Sequence, residues 1–321
     1  MVLGLIILII IFSFVLIKSA DIAVIALRRI TRGASVFGIS AVLIALGTSF
    51  PELFVGVTSA LEKSPNLSLG VILGSNIANI ALIGGMAALI AGRVEVHGEF
   101  LHRDVWIAFI ASLIPLVLAL DGNLNTIDGI ILILIYLAYA ISFFKHRFLE
   151  IGNQDIDGKF FLKFFRKVNH MESKKSKEIG RLFVGIVLLL FSADIIVRFS
   201  SILADYLNIP VFVIGLFILA IGTSLPEFAF SLRSLEDHQP TMFFGNLLGS
   251  IIANSTLIVG LVSIINPIEI IAIDHYLIAA VSFLITFLIF YFFIRTKHRL
   301  DRWEALSLLI LYLFFVVVEF V

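Results

Sequence analysis

Two short motifs carry most of the chemically active side chains in this chain. Gly-Thr-Ser-Phe-Pro-Glu occupies residues 47–52, and the near copy Gly-Thr-Ser-Leu-Pro-Glu occupies residues 222–227. Each motif lies inside an apolar segment of the kind that crosses a membrane. An ionisable residue in such a segment marks a functional site by default, because a bare charge is costly there. Glu52 and Glu227 are therefore the leading candidates for a functional role.

A proline interrupts the helical pattern in both motifs. Proline has no N–H and clashes with the carbonyl four residues earlier, so Pro51 is expected to release the carbonyl of Gly47. Pro226 is expected to release the carbonyl of Gly222 in the same way. Broken helices are tolerated at membrane depth where they line a cavity. The two motifs therefore predict bent segments that face a polar interior.

Each motif offers several oxygen atoms that could face the same cavity. Residues four apart share a helix face, which groups a threonine hydroxyl with the glutamate of its motif. The candidate ligands of the two motifs are Gly47, Thr48, Ser49 and Glu52, and Gly222, Thr223, Ser224 and Glu227. Carboxylate, hydroxyl and carbonyl oxygens are hard ligands that suit Ca²⁺, Mg²⁺ or Na⁺.

The next apolar segment in each half repeats this arrangement. Residues 74–79 read Gly-Ser-Asn-Ile-Ala-Asn, and residues 249–254 read Gly-Ser-Ile-Ile-Ala-Asn. Ser75 and Asn79 are four residues apart and share a helix face. The same spacing separates Ser250 from Asn254. Each pair adds a hydroxyl and an amide oxygen to the candidate site.

A divalent cation matches this set of ligands in number and charge. Ca²⁺ takes six to eight oxygens, which two carboxylates, two amides and a few carbonyls or waters can supply. Gly, Ser and Thr in membrane helices also serve close packing and interhelical hydrogen bonds, which is the structural alternative for the small residues. For Glu52 and Glu227 the alternative is a buried basic partner, but the apolar segments around them contain no Lys or Arg at that depth.

Two further acidic residues are weaker candidates. Lys18 precedes Asp21 by three residues, and Arg198 follows Asp194 by four, so both aspartates could form ion pairs within a helix. They could equally line an access path to the site, and the sequence leaves both interpretations open. The chain has no cysteine, which excludes disulfides and thiol chemistry, and its histidines show no metal-binding spacing.

Composition and hydropathy indicate the elements that must position these residues. The chain of 321 residues is 60% hydrophobic and only 14% charged, with a mean hydropathy of +1.11, whereas soluble domains carry about 25% charged residues. We therefore predict an all-α, polytopic membrane protein with ten transmembrane helices. The predicted spans are 2–27, 36–60, 68–91, 104–120, 127–145, 181–204, 211–235, 242–265, 274–295 and 303–320.

The spans divide into two repeats. Glu227 and Asn254 follow Glu52 and Asn79 by 175 residues each. We expect a first transmembrane repeat at 1–145, a cytoplasmic loop at 146–180 and a second repeat at 181–321. Five spans per repeat is an odd number, so the second repeat must be inverted, with a substrate site near the midplane.

The distribution of basic residues predicts the orientation. Lys and Arg concentrate in the loops that follow odd-numbered spans, whereas Lys63 alone falls on the opposite side. The positive-inside rule therefore places the odd-numbered loops in the cytoplasm and both termini outside a cell membrane.

These motifs resemble those of a known family. The Gly-Thr-Ser-x-Pro-Glu motif with its Gly-Ser-Asn-Ile-Ala-Asn partner, repeated once, resembles the α-repeats of the calcium/cation antiporter superfamily. The resemblance implies a ten-helix fold in which spans two, three, seven and eight surround the ions and spans one and six slide across them. The motif wording is similar to that of the sodium/calcium branch, which often has Asp where this chain has Asn254. Two glutamates without that Asp are similar to the proton/calcium branch.

We therefore expect a secondary-active antiporter that exchanges Ca²⁺ for H⁺ by alternating access. Two carboxylates can take up two protons for each Ca²⁺ released. A Na⁺/Ca²⁺ exchanger is the alternative, and a cation channel is a remote one, since channel filters are usually rings from symmetric subunits. An intramembrane hydrolase lacks a plausible nucleophile and base, so we expect no enzyme activity and no resident cofactor. The expected partners are the two ions and the lipid bilayer, without nucleic acid, and the chain is expected to function as a monomer.

Overall fold

The computed structural model describes residues 2–31, 47–95, 99–151, 173–297 and 299–320. The fold described there is built almost entirely from helices. We label them α1 (Val2–Thr31), α2 (Phe50–Leu61), α3 (Pro65–Ala91), α4 (Glu99–Leu118), α5 (Thr126–Ile151), α6 (Ser173–Leu207), α7 (Val211–Glu236), α8 (Pro240–Ile265), α9 (Ile273–Lys297) and α10 (Arg302–Glu319).

The described helices have the character of a membrane protein. Six are long and apolar enough to cross a bilayer, and three shorter ones are also apolar. Large apolar side chains such as Ile10, Leu134 and Phe191 are more than half exposed, whereas many polar side chains are buried inside. This distribution is expected when lipid replaces water around the fold. The chain is a helical integral membrane protein.

The ends of several helices differ from the predicted spans. Helix α5 continues to Ile151 and α6 begins at Ser173, so both ends of the predicted 146–180 loop are helical. Lys and Glu are good helix formers, and a helix need not end where its apolar stretch ends. Residues 36–46 of the predicted second span and 152–172 of the predicted loop lie outside the described residues.

The element boundaries recur with the same spacing of 175 residues as the motifs. Phe50–Leu61 corresponds in this way to Leu225–Glu236. Pro65–Ile77 corresponds to Pro240–Ile252. Even the connecting turns match, because Lys63 has a φ of 58° and His238 a φ of 55°. The two halves thus share local backbone geometry as well as sequence.

Two short antiparallel ladders join the halves. Strand β1 (Arg93–Glu95), which follows α3, pairs with β4 (Arg299–Asp301), which precedes α10. Strand β2 (Asn123–Leu124), which precedes α5, pairs with β3 (Ile268–Glu269), which follows α8. Each ladder therefore takes one strand from each half of the chain.

The helices pack around two apolar clusters. The larger cluster fills the space among α3, α4, α5 and α7–α10, and the smaller one lies mainly between α1 and α6. Helices α3 and α7 cross closely, since a Cβ on Gly74 would overlap the carbonyl oxygen of Leu216. Helix α6 approaches α1 at Gly185, where a Cβ would lie 3.0 Å from the backbone nitrogen of Ala23.

Candidate functional site

The helix breaks at the same place in both motifs. Ser49 (φ −85°, ψ 9°) and Ser224 (φ −86°, ψ 4°) leave the helical conformation directly before the segments that contain Pro51 and Pro226. A proline in the first turn of the new helix is well tolerated, because its missing N–H has no helical partner there. The predicted interruptions are therefore present, and they place Glu52 and Glu227 in the first turn of the helical segments that follow.

The asparagines lie in π-helical turns. Asn79 belongs to the π-helical stretch Ala78–Gly84 of α3, and Asn254 to the stretch Ala253–Ile258 of α8. Such turns are rare and occur frequently at functional sites. The sequence predicts that each asparagine shares a helix face with a serine, but it does not predict the π-helical form of these turns.

The two glutamates are buried and surrounded by hydroxyl groups. Glu52 is 1% exposed and Glu227 is fully buried. Ser224 Oγ donates to Glu52 Oε1 at 3.2 Å, and Ser250 Oγ donates to Glu227 Oε1 at 3.4 Å. The two carboxyl groups lie close enough to interact electrostatically.

The threonines and Ser75 of the predicted set also lie beside these carboxyl groups. Thr223 and Ser75 lie next to Glu52, and Thr48 lies next to Glu227. Thr223 Oγ1 donates to the carbonyl oxygen of Leu219 at 3.0 Å, and Ser224 is the residue of the second motif whose hydroxyl donates to Glu52. The fold brings the two motifs and the two asparagine segments into one region.

Several polar atoms of this region have no hydrogen-bonding partner among the residues that the structure describes. They are Ser49 Oγ, Glu52 Oε2, Asn79 Oδ1 and Nδ2, Glu227 Oε2 and Asn254 Oδ1. Buried polar groups are normally satisfied, and each exception calls for an explanation such as an ion. Five of these six atoms are oxygens, and a cation can satisfy several oxygens at once.

The candidate site contains few carboxylates. Among the described residues, no group of three or more His, Cys, Asp or Glu side chains converges. Glu52 and Glu227 are therefore accompanied by neutral oxygens. This composition suits hard alkali or alkaline-earth cations and does not suit soft metals.

Helix α1 covers the glycine of each motif. A Cβ on Gly47 would lie 2.6 Å from Cγ2 of Val24, and a Cβ on Gly222 would lie 3.4 Å from Oγ of Ser13. The small residue at Gly47 therefore permits the approach of α1. At Gly222 the distance to Ser13 is an ordinary van der Waals contact, so α1 passes along both breaks but needs a glycine only at the first.

The sequence does not predict two further asparagines that contact residues of the candidate site. Asn76 contacts both Asn254 and Ser255, and Asn246 accepts a hydrogen bond from Thr48 Oγ1 at 3.1 Å. The residues 175 positions away are apolar, Ile251 for Asn76 and Val71 for Asn246. A comparison of the two repeats therefore identifies neither asparagine as a candidate. Only a polar side chain in an apolar segment could have indicated them.

The aspartates of α1 and α6 have basic partners. Lys18 Nζ lies 3.7 Å from Asp21 Oδ2, and Arg198 Nε lies 3.0 Å from Asp194 Oδ1. Arg198 Nη2 also reaches Glu62 Oε1 at 3.0 Å, just beyond the end of α2. The ion pairs within the helices are thus present, and Arg198 adds a link between α6 and α2.

Comparisons with known proteins cover nearly the whole chain. A protein family described as sodium/calcium exchanger protein matches residues 4–145 and 177–321. The sodium/calcium exchanger MaX1 of Methanosarcina acetivorans is 28% identical over an alignment of 338 positions that covers 95% of each chain. The inner membrane protein YrbG of Escherichia coli is 30% identical over 231 residues, or 71% of this chain and 69% of YrbG. A solved structure of the sodium-calcium exchanger NCX_Mj, soaked with 100 mM Na⁺ and 10 mM Sr²⁺, aligns with a TM-score of 0.65, 25% identity and 99% coverage of both chains.

Proposed function

The chain belongs to the sodium/calcium exchanger family, whose members are transporters and not enzymes, and we propose that it exchanges Ca²⁺ for Na⁺ across the membrane by alternating access. The observation that carries this proposal is the group of buried, unpartnered oxygens contributed by both halves. Two carboxylates balance the charge of one divalent cation, and neutral oxygens complete its shell.

The proposed ligands come from four segments. Glu52 and Glu227 supply the charge, and Asn79 and Asn254 supply amide oxygens. The hydroxyls and carbonyls proposed to complete the shells of the ions belong to Gly47, Thr48, Ser49, Ser75, Gly222, Thr223, Ser224 and Ser250. Because one chain carries both halves of the site, the proposed functional unit is a monomer.

The proposed architecture is a pair of inverted five-helix repeats, 1–145 and 181–321, joined by the 146–180 segment. The ladders support it, since a rotation that exchanges the halves moves β1 onto β3 and β2 onto β4. It thereby converts one ladder into the other. In the ten-span order, loops that follow odd-numbered spans lie on one side of the membrane and loops that follow even-numbered spans lie on the other. Strands β1 and β4 follow spans three and nine, and β2 and β3 follow spans four and eight. Each ladder therefore joins two loops that the ten-span order places on the same side.

Introduced cysteines test the proposed orientation, with both termini outside and the odd-numbered loops in the cytoplasm. The natural chain has no cysteine, and Lys63 and His238 occupy equivalent turns of the two halves. A membrane-impermeant maleimide added to intact cells should label Lys63→Cys and not His238→Cys. Labelling of both from the same side would contradict the inverted arrangement.

Sodium is the first candidate for the coupling ion. Hydroxyl oxygens surround both glutamates and suit a monovalent hard cation. MaX1 and NCX_Mj, which align over almost the whole chain, are both named sodium/calcium exchangers. The proton is the second candidate, favoured by Asn254. An amide at this position leaves two carboxyl groups, which can take up two protons when Ca²⁺ leaves.

Transport into proteoliposomes tests the function and separates the two coupling ions. Vesicles loaded with Na⁺ and diluted into Na⁺-free buffer at equal pH should take up radioactive Ca²⁺. Vesicles with a pH gradient and no Na⁺ should take up little. The opposite result would assign H⁺ as the coupling ion. A Ca²⁺ conductance that needs neither gradient would indicate that the protein is a channel and not an antiporter.

A further inference from the structure

Asn76 holds the side chain of one proposed ligand in a fixed orientation. Asn254 Nδ2 donates to Asn76 Oδ1 at 3.2 Å, and Asn76 Nδ2 donates to Ser255 Oγ at 2.8 Å. All three side chains are at most 2% exposed. The three residues form a buried chain of hydrogen bonds between α3 and α8.

This chain of hydrogen bonds determines which atom Asn254 has available for an ion. A side-chain amide has one oxygen that can bind a cation and one NH₂ group that repels it. Asn76 accepts from the NH₂ group, and the oxygen of Asn254 has no hydrogen-bonding partner within the described part of the chain. We infer that Asn76 is a positioning residue, which directs the amide oxygen of Asn254 toward the transported cation. This inference rests on the proposed function.

The described part of the first half shows no equivalent contact for Asn79. The residue 175 positions after Asn76 is Ile251, which cannot hold the amide of Asn79. Accordingly, neither Asn79 Oδ1 nor Asn79 Nδ2 has a hydrogen-bonding partner among the described residues. The described residues therefore hold the amide of Asn254 in one orientation and do not hold that of Asn79. The two asparagines therefore contribute unequally although the repeats present them alike.

Asn76→Leu removes the acceptor and tests the inference. Removing a group that orients a metal ligand typically costs about 10- to 100-fold in metal affinity. We expect the apparent KM for Ca²⁺ in proteoliposomes to rise about tenfold, with Vmax within about twofold. Asn66→Leu is the matched control, because Asn66 is also buried but donates to the backbone oxygen of Glu269. It should leave the KM unchanged even if it lowers the thermal stability.

The decisive measurement repeats Asn76→Leu in an Asn254→Asp background. A carboxylate presents an oxygen whichever way it turns, so it needs no neighbour to orient it. In the Asn254→Asp background, Asn76→Leu should change the KM for Ca²⁺ by less than about twofold. An equal increase in both backgrounds, or a loss of stability without any change in KM, would show that Asn76 is only structural.

A milder variant keeps the test decisive if Asn76→Leu does not fold. Ser255→Ala removes the group that accepts from Asn76 and changes little volume. It should raise the KM in the same direction by a smaller factor, and an unchanged KM would overturn the inference. Absence of Ca²⁺ uptake by the unsubstituted protein would count instead against the proposed function.

Discussion

Ser224 Oγ lies 3.2 Å from Glu52 Oε1, so a hydroxyl of the second motif contacts the carboxylate of the first. The two residues are 172 positions apart in the chain. Thr223, also from the second motif, lies beside the same carboxyl group. The candidate site is therefore built from both motifs, and each half of the chain contributes part of it.

Ser224→Ala is expected to weaken Ca²⁺ binding by about tenfold. The substitution removes a hydrogen bond to a carboxylate, and such bonds contribute about 1.5–3 kcal/mol. The apparent KM for Ca²⁺ in proteoliposomes measures the effect. Ser59→Ala is the control, since Ser59 is equally buried but bonds to the carbonyl of Gly56 within its own helix. Equal KM values for the two variants would argue against a role of Ser224 in the site.

Glu52→Gln and Glu227→Gln are each expected to reduce Ca²⁺ uptake by about 100-fold or more. Either change removes half of the negative charge that balances a divalent cation, and a buried charge without its partner is strongly unfavourable. Initial rates of uptake at saturating Ca²⁺ are the measurement. Glu236→Gln changes an exposed carboxylate on the same helix as Glu227 and should transport normally. Full transport by either site variant would refute the proposed ligand set.

The sequence predicts the parts of the site that the repeats duplicate. Glu52 and Glu227 stand out because charge is rare in apolar segments, and their common spacing to Asn79 and Asn254 adds independent support. The helix interruptions follow from Pro51, since proline restricts the backbone wherever it stands. These signals depend on local chemistry and need no knowledge of tertiary contacts.

Gly74→Ala is expected to destabilise the protein strongly. Its Cβ would overlap the carbonyl oxygen of Leu216 and lie 2.6 Å from the Cβ of Ala220. Overpacking costs about 1–3 kcal/mol and more where backbone must move. Thermal unfolding in detergent should show a lower Tm. Gly245→Ala is the control, because nothing lies within 4 Å of its added Cβ. An unchanged Tm for Gly74→Ala would show that α3 and α7 can separate at little cost.

Contacts between the halves could not be predicted from the sequence. Asn76 and Asn246 have apolar counterparts, so only the packing of α3 against α8, and of Thr48 against Asn246, shows that they belong to the site. The partner of Arg198 was predicted within its own helix as Asp194, but the link to Glu62 depends on how α6 lies on α2. Such contacts depend on tertiary geometry, and neither periodicity nor motif spacing carries information about it.

Arg198→Gln is expected to alter the transport rate more than the stability. Arg198 links α6 to Glu62 at 3.0 Å, and this contact must break if α6 slides along α2 during transport. Exposed ion pairs contribute little, so we expect a change in Vmax of at most about fivefold that disappears at high ionic strength. Lys18→Gln breaks an ion pair that lies within α1 alone and should leave Vmax unchanged.

Restoration of the rate by a charge exchange would complete this test. Arg198→Glu combined with Glu62→Arg reverses the polarity of the interhelical contact. A Vmax near that of the unsubstituted protein is expected for the pair, although Asp194 then faces a like charge. Equal rates for all variants at low ionic strength would mean that this contact does not restrain α6.

The two β-ladders tie together loops that flank α3, α4, α5, α8, α9 and α10, but neither includes α1 or α6. The helices that carry Asn79 and Asn254 are therefore each connected to a ladder at their C-terminal ends, whereas α1, α2, α6 and α7 are not directly connected to a ladder strand. A rearrangement that preserves both ladders must keep these paired loops together, but the ladders place no such restriction on α1 and α6.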